Sequence, residues 1–140
     1  MECEAAVSLI FNDDKFLLIK RSEQKNDPWS GQMALPGGHR EISETCEETA
    51  IRETFEEVNL KIKINRFIGI YYTLNNNLSV AAFEAFPLNS NVVIDKEISK
   101  YFWVGFDELE YDNLSYLYND YVIFGLTYRI LNDYIRNLNP

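Results

Sequence analysis

One stretch constrains this chain more than any other: "LPGGHREISETCEETAIRETFEEVNL", residues 35–60, where a glycine turn runs into a segment crowded with glutamate. Thr45 and Glu48 have the T-x-x-E spacing of a capping box, in which the two side chains satisfy backbone amides at a helix amino terminus. The spacing predicts a helix from about Cys46, ended by Asn59, since asparagine is second to glycine for the left-handed conformation that closes helices. At 3.6 residues per turn, Ala50, Ile51, Thr54, Phe55 and Val58 share a packing side. Glu53, Glu56 and Glu57 fall on another, within an arc of about 100°.

A solvated acidic face is the ordinary explanation of such a helix. Position argues against it here. Glu56 and Glu57 occupy the last turn, where the helix dipole disfavours negative charge by about 0.3–1 kcal/mol each. Arg52 reaches Glu56 at i+4 and Glu48 at i−4, but one arginine does not neutralise three clustered carboxylates. A hard divalent cation does. Mg²⁺ takes carboxylate oxygens, keeps several waters and commonly holds substrate phosphates as well. Ahead of the helix, Pro36-Gly37-Gly38 predicts a sharp turn in which glycine takes angles closed to other residues, letting main-chain carbonyls approach an ion.

The remainder reads as a single domain over residues 1–140. A chain of this length, 46% hydrophobic and 14% aromatic, has material for one well-buried core and too little for two ordinary domains. "AAVSLIF", "NDDK" and "FLLIKRS" predict a hairpin, because Asn and Asp suit turns. Residues 22–34 are polar and broken by Pro28 and Gly31, which predicts a surface loop leading into "MALP". "KIKINRFIGIYYT", "LSVAAFEAFPL" and "YFWVGF" are rich in β-branched and aromatic residues and read as strands. From about Asp120, the spacing of Phe124, Leu131, Tyr134 and Leu138, with Ile135 beside them, predicts a closing amphipathic helix. The order implies an α/β domain whose helices cover a mixed, mostly non-parallel β-sheet.

Charge and cysteine content exclude several classes. A formal charge of −9 disfavours a surface built for a nucleic-acid backbone, so an anionic substrate needs metal cations to approach. No apolar run approaches membrane-spanning length, and "MECEA" leads into a strand without a basic segment and apolar core, so neither a membrane partner nor export is expected. Cys3 and Cys46 match no metal or redox spacing and fit reduced thiols in a cytoplasmic protein. Cys46 has no histidine base and sits among glutamates that oppose thiolate formation, which argues against nucleophilic catalysis.

With the glycines included, the spacing reads Gly38, five residues, Glu44, seven residues, then Arg52-Glu53-Thr54-Phe55-Glu56-Glu57-Val58-Asn59-Leu60. This resembles the Nudix box, G-x5-E-x7-R-E-U-x-E-E-x-G-U with U aliphatic. Thr54 stands at an aliphatic position and Asn59 at the final glycine. The resemblance implies a Nudix-type α/β/α sandwich, a mixed sheet between helices, that hydrolyses a diphosphate linked to another group with Mg²⁺, or with Mn²⁺ in its place. Glu56 and Glu57 would be metal ligands, joined by the main-chain carbonyl near Gly37 or Gly38. Glu53 would act as a ligand or orient the attacking water, and Arg52 would hold the glutamates in place. Glu44 is matched in a less defined role. Glu97 in "DKEISKYFWV" is a candidate base or extra ligand from outside the box, with Glu84 behind it. A small nucleotide diphosphate is the partner implied, and a homodimer is compatible with it.

For the substrate, "LLIKRS" and "GQMALPGG" resemble the segment that accompanies the box in coenzyme A diphosphatases, and "FGLTYRIL" is similar to their carboxyl-terminal region. "EQKNDPWS" replaces the basic, histidine-containing stretch usual between the first two pieces. Arg21, Lys25 and Arg40 flank the expected site as candidate phosphate contacts, and Trp29 is a candidate either to stack on a base or to cover a hydrophobic edge. Within the enzyme class a nucleoside triphosphate, ADP-ribose or a dinucleotide stays open as substrate, and the rival reading from another class is a Nudix module that senses a nucleotide without turning it over. Intact Glu53, Glu56 and Glu57 beside Arg52 argue against it.

Overall fold

A computed structural model describes residues 1–27 and 30–138. The amino-terminal hairpin forms as its turn chemistry requires. Strand β1 (Ala5–Asn12) and strand β2 (Lys15–Arg21) pair antiparallel across Asp13-Asp14, with Asp13 in the left-handed region at φ 57°. Two short strands follow, β3 (Met33–Ala34) against β2 and β4 (Gly37–His39) against β1. Helix α1 (Cys46–Val58) comes next. Strands β5 (Ile62–Tyr72) and β6 (Ser79–Pro87) form a second antiparallel pair, and β6 lies parallel to β1. Strand β7 (Ile98–Gly105) returns antiparallel to β2. Strands β8 (Glu110–Tyr111), β9 (Tyr116–Tyr118) and β10 (Tyr121–Ile123) make a small separate sheet before helix α2 (Gly125–Leu138).

Strand alternation shows why the helices lie on opposite faces of the main sheet. Leu9, Phe16, Leu18, Ala82 and Val104 point to one side and pack with Tyr128, Ile130, Leu131 and Tyr134 of α2. Their neighbours Ile10, Leu17, Ile19 and Ala85 point to the other and meet Val58 of α1, while Ala6, Ala81 and Phe83 meet Cys46 and Ala50. Each large side chain buried this way contributes about 1.5–3 kcal/mol. The expected mixed sheet between helices is therefore observed, with β1–β6 as the one parallel pair among the described strands.

Two expectations are corrected. The closing helix starts at Gly125, not near Asp120. Asn119 and Gly125 both have positive φ, 53° and 62°, which breaks the helical path on either side of β10; Phe124 precedes α2 and Leu138 ends it, and both stand half-exposed. Cys3 and Cys46 are also not free thiols. They form a disulfide that joins the segment before β1 to the first residue of α1. Both are buried, and their separation of 43 residues hid a proximity created by the packing of α1 on β1. Among the described residues, no helix is long and apolar enough to cross a membrane.

The crosslink closes a long loop, and in the chain-entropy description such a loop stabilises by about 2–4 kcal/mol. Urea unfolding with and without dithiothreitol, and of Cys3→Ser, should show a loss of that size. An unchanged midpoint would mean the thiols are free in solution.

Candidate active site

Helix α1 carries most of the candidate residues, and its ends are held as the sequence requires. The Thr45 hydroxyl accepts from the Glu48 amide at 3.1 Å, and the Glu48 carboxylate accepts from the Thr45 amide at 2.8 Å. Asn59 closes the helix at φ 63°. The faces differ from the helical-wheel expectation. Ile51 and Phe55 are exposed, whereas Thr49, Thr54 and Glu57 are buried with Cys46, Ala50 and Val58. The buried face is rotated toward the carboxylates because α1 lies across β1 and β4, and this separates the three glutamates. Glu57 faces the sheet, Glu53 is half-buried, and Glu56 is the most exposed.

Arg52 links them. Its guanidinium donates to Glu44 at 2.5 and 3.0 Å, to Glu53 at 2.9 Å, to Glu56 at 2.8 Å and to the His39 carbonyl at 3.0 Å. Glu44 also accepts from the Thr49 hydroxyl at 2.9 Å. The hydrogen bond from Arg52 holds the Glu44 carboxyl well down, at about 2. The residue with the less defined expectation is thus the anchor of the arginine.

Gly37 and Gly38 are needed for close approach rather than for unusual angles. Both lie in β4 and neither has positive φ. A Cβ on Gly37 would lie 2.2 Å from the Ala6 carbonyl oxygen, and one on Gly38 would lie 2.3 Å from the Glu53 carboxylate. The Gly37 amide donates to Glu57 at 2.9 Å, and Arg21 meets the other Glu57 oxygen at 3.4 Å. Burial nevertheless dominates and pushes the Glu57 carboxyl up to about 7, with Glu53 and Glu97 adding repulsion. Burial raises Glu53 as well, against the pull of Arg52.

These groups line a cavity of about 470 Å³. Its floor includes Gly37, Gly38, Glu53 and Glu57, and Arg21 and Glu97 form one wall. The lining also includes residues of the β5–β6 turn and the start of α2, among them Asn75, Asn76 and Arg129. The structure thus brings Arg21, Gly38, Glu53, Glu57 and Glu97 together. Glu56 turns to Arg52 outside the lining. Lys25 is exposed in a turn away from the cavity, and Arg40 folds back onto the carbonyls of Cys3, Glu41, Ile42 and Glu44, so the structure brings neither to the site. Trp29 lies outside the described residues. Glu84 is in a different cavity of about 390 Å³, where it pairs with Asn65, Arg66 and Tyr134.

Among the described residues, no three acidic, histidine or cysteine side chains stand close enough to hold a metal as they are placed. The donor chemistry nevertheless fits a hard cation. Glu57 is a buried carboxylate that accepts from the Gly37 amide and has a long ion pair to Arg21, two more carboxylates share its cavity, and all three offer oxygen. Sequence reasoning missed part of the cavity lining. Arg129 sits in "FGLTYRIL", where the apolar stripe was the visible signal, and the β5–β6 turn read only as a connection.

A mixed sheet between two helices, with the G-x5-E-x7-REx2EE residues gathered against a glycine strand, defines a NUDIX domain. The chain belongs to this family, whose model matches residues 1–122. It is similar to the ADP-ribose pyrophosphatase of Methanocaldococcus jannaschii, 46% identical over 67 residues that make up 48% of this chain and 38% of that protein. Among solved structures it is similar to a NUDIX hydrolase from Nitrosomonas europaea, with a TM-score of 0.77 and 25% identity, covering 95% of this chain and 69% of that one. A MutT protein from Methanosarcina mazei shares the fold, with a TM-score of 0.75 at 21% identity over 99% and 96% of the two chains. The chain spans between 22% and 62% of the lengths of three curated relatives that it matches.

The two glycines should separate by experiment. Gly37→Ala meets rigid backbone and should lose about 1–3 kcal/mol in chemical denaturation. Gly38→Ala meets only the end of the Glu53 side chain and should keep most of its stability while displacing that carboxylate. Equal losses would contradict the assignment. Glu44 has a pH signature. Its folded pKa is below the unfolded value, so its contribution is present above about pH 4.5 and is lost as pH falls toward 2. Glu44→Gln should therefore be less stable than the parent by about 1–3 kcal/mol at pH 7, with thermal melts converging near pH 2.

Proposed function

We propose that the chain hydrolyses the diphosphate bond of a nucleoside diphosphate linked to another group, using Mg²⁺ or Mn²⁺. The observation that carries this reading is the convergence of Glu53, Glu57 and Glu97 with Arg21 in one cavity against Gly38. Glu53, Glu57 and Glu97 would hold the cation, with the main chain near Gly38 and with Glu56 as a further carboxylate from the helix end. Bound there, the ion supplies positive charge to phosphoryl oxygens and acidifies a water. The chain's own groups do the rest. Arg21 lines the cavity and brings its guanidinium charge to a substrate phosphate. Arg52 touches Glu53, Glu56 and Glu44 at once and acts by positioning them. Glu97 is the candidate from outside the box for one of two roles, further ligand or proton acceptor. A cysteine nucleophile plays no part, since Cys46 is tied to Cys3.

For the substrate, ADP-ribose leads, because the Methanocaldococcus relative that shares 46% of 67 residues bears that activity in its name. Coenzyme A remains the second reading, supported by "LLIKRS" and "GQMALPGG". Incubation of both compounds and a nucleoside triphosphate with protein and Mg²⁺, followed by product separation, should give AMP and ribose 5-phosphate from ADP-ribose at the highest kcat/KM. A higher value for coenzyme A would move the substrate and keep the class.

Excess chelator should abolish turnover, and Mg²⁺ should restore it. Glu57→Gln keeps the volume and an acceptor for Gly37 but deletes a charge, and should lower kcat by about two to four decades with the fold retained by circular dichroism. Wild-type rates in Glu57→Gln would favour a nucleotide-sensing module instead.

A further inference from the structure

Asn59 stands at the final glycine of the box, and its side chain makes a contact that glycine lacks. The residue closes α1 at φ 63°, with its amide donating to the Phe55 carbonyl at 2.9 Å. Glycine takes that conformation more readily than asparagine, so ending the helix does not by itself require a side chain. The Asn59 side chain reaches out of the helix and donates from Nδ2 to the Asn91 carbonyl at 3.1 Å. In return, Asn89 donates from its Nδ2 to the Asn59 carbonyl at 3.1 Å. The result is a two-way clasp between the end of α1 and the connection from β6 to β7.

That connection, residues 88–97, contains neither helix nor strand, so its amides need partners outside it. The end of α1 and the two residues after it provide them. The Leu88 amide donates to the Lys61 carbonyl at 2.7 Å, Val93 to Val58 at 3.0 Å and Asp95 to Glu57 at 2.9 Å, and Asn89 Oδ1 accepts from the Lys61 amide at 2.7 Å. These bonds satisfy carbonyls at the end of a helix that has no basic residue in its last turn. Val92 and Ile94 pack on the cluster that holds Val58 and Leu60.

The connection ends in Glu97, whose main chain has a second anchor. The Ser22 amide donates to the Glu97 carbonyl and the Ser22 hydroxyl to the Lys96 carbonyl, each at 2.8 Å. This anchor sets Glu97 relative to β2 and Arg21, whereas the bonds to α1 set it relative to Glu57. Glu97 and Glu57 line one cavity and repel each other, so their spacing is imposed by the main chain and not by mutual attraction. Asn59 itself is outside the lining.

We infer that Asn59 is a positioning residue for Glu97: its side-chain amide holds the β6–β7 connection against the end of α1 and so sets the distance between the Glu97 and Glu57 carboxylates. The inference rests on the reading above, in which Glu97 serves the diphosphate chemistry, and adds to it a residue that touches none of the reacting groups.

Asn59→Gly removes the donor but keeps the left-handed backbone, the bond to Phe55 and the carbonyl that Asn89 uses, so the melting temperature should stay within a few degrees of the parent. In metal-free protein, hydrogen exchange at the Val93 and Asp95 amides should quicken about tenfold, with the α1 amides from Ala50 to Phe55 unchanged. Mn²⁺ titrated into the metal-free protein and followed by paramagnetic resonance should bind several-fold more weakly, because a displaced Glu97 carboxylate attracts the ion less. With ADP-ribose at saturating Mg²⁺, kcat should fall about tenfold and KM stay within twofold. Asn91→Ala keeps the accepting carbonyl and should match the parent throughout. In a Glu97→Gln background, Asn59→Gly should change neither Mn²⁺ affinity nor kcat further. Parent-like exchange in Asn59→Gly would overturn the inference. So would faster exchange with parent-like Mn²⁺ binding and kcat, which would leave the clasp only a structural role, or equal losses with and without Glu97, which would route the effect through another group. If the parent turns over no diphosphate, the hydrolase reading falls alone, and exchange and Mn²⁺ binding in the two backgrounds still decide the role of Asn59.

Discussion

The guanidinium of Arg52 lies among Glu44, Glu53, Glu56 and the carbonyl of His39, and removing it would leave the carboxylates repelling one another at the end of a helix whose dipole already opposes them. Its grip on Glu44 and His39 also ties the loop after β4 to α1, so the glycine strand and the helix are set relative to each other by one side chain. The precision of the floor follows. Gly38 approaches the Glu53 carboxylate so closely that no Cβ fits between them, and the Gly37 amide meets Glu57. A pair of elements packed less tightly would draw Glu53 and Glu57 away from the glycine strand.

Arg52 does not balance the remaining charge. Glu57 stays buried with its carboxyl raised by desolvation, and Glu97 adds to the repulsion from across the cavity. This is an arrangement with a high electrostatic cost in the free protein and a large gain for any cation that enters. On the proposed reading, an acidic protein acting on an anionic substrate is consistent in these terms, since a bound cation would invert the sign of the floor locally. Arg21 is the cationic group that the chain itself contributes there.

Much of this was legible in residues 35–60. The limits of α1, the reach of Arg52 to Glu56 and the special status of Gly37 and Gly38 follow from spacing and local propensity. The inward turn of Glu57 was not legible, because a helical wheel groups it with Glu53 and Glu56 and only the neighbouring strands decide which of the three is buried. The same blindness to neighbours put Ile51 and Phe55 in the packing face, and left the glycines with a conformational reason where a steric one applies. The start of α2 was misplaced because periodicity extends through Phe124, whereas Gly125 at φ 62° interrupts the backbone. The Cys3–Cys46 link and Arg129 were invisible for one reason: each takes its meaning from a segment far away in sequence.

Thr54 departs from the aliphatic residue usual at its place in the box, and the structure supplies the reason in a residue outside it. Its hydroxyl donates to the Ser8 hydroxyl at 3.3 Å, and both side chains are fully buried between α1 and β1. A lone hydroxyl there is a liability and a pair is tolerable, so the two positions are bound into one heritable unit. A lineage that restores the aliphatic at 54 inherits an orphaned serine in β1, and one that loses the serine first inherits an orphaned threonine. Drift at this interface must pass through an unfavourable intermediate, and the irregularity in the box is held in place by a strand that the box does not include.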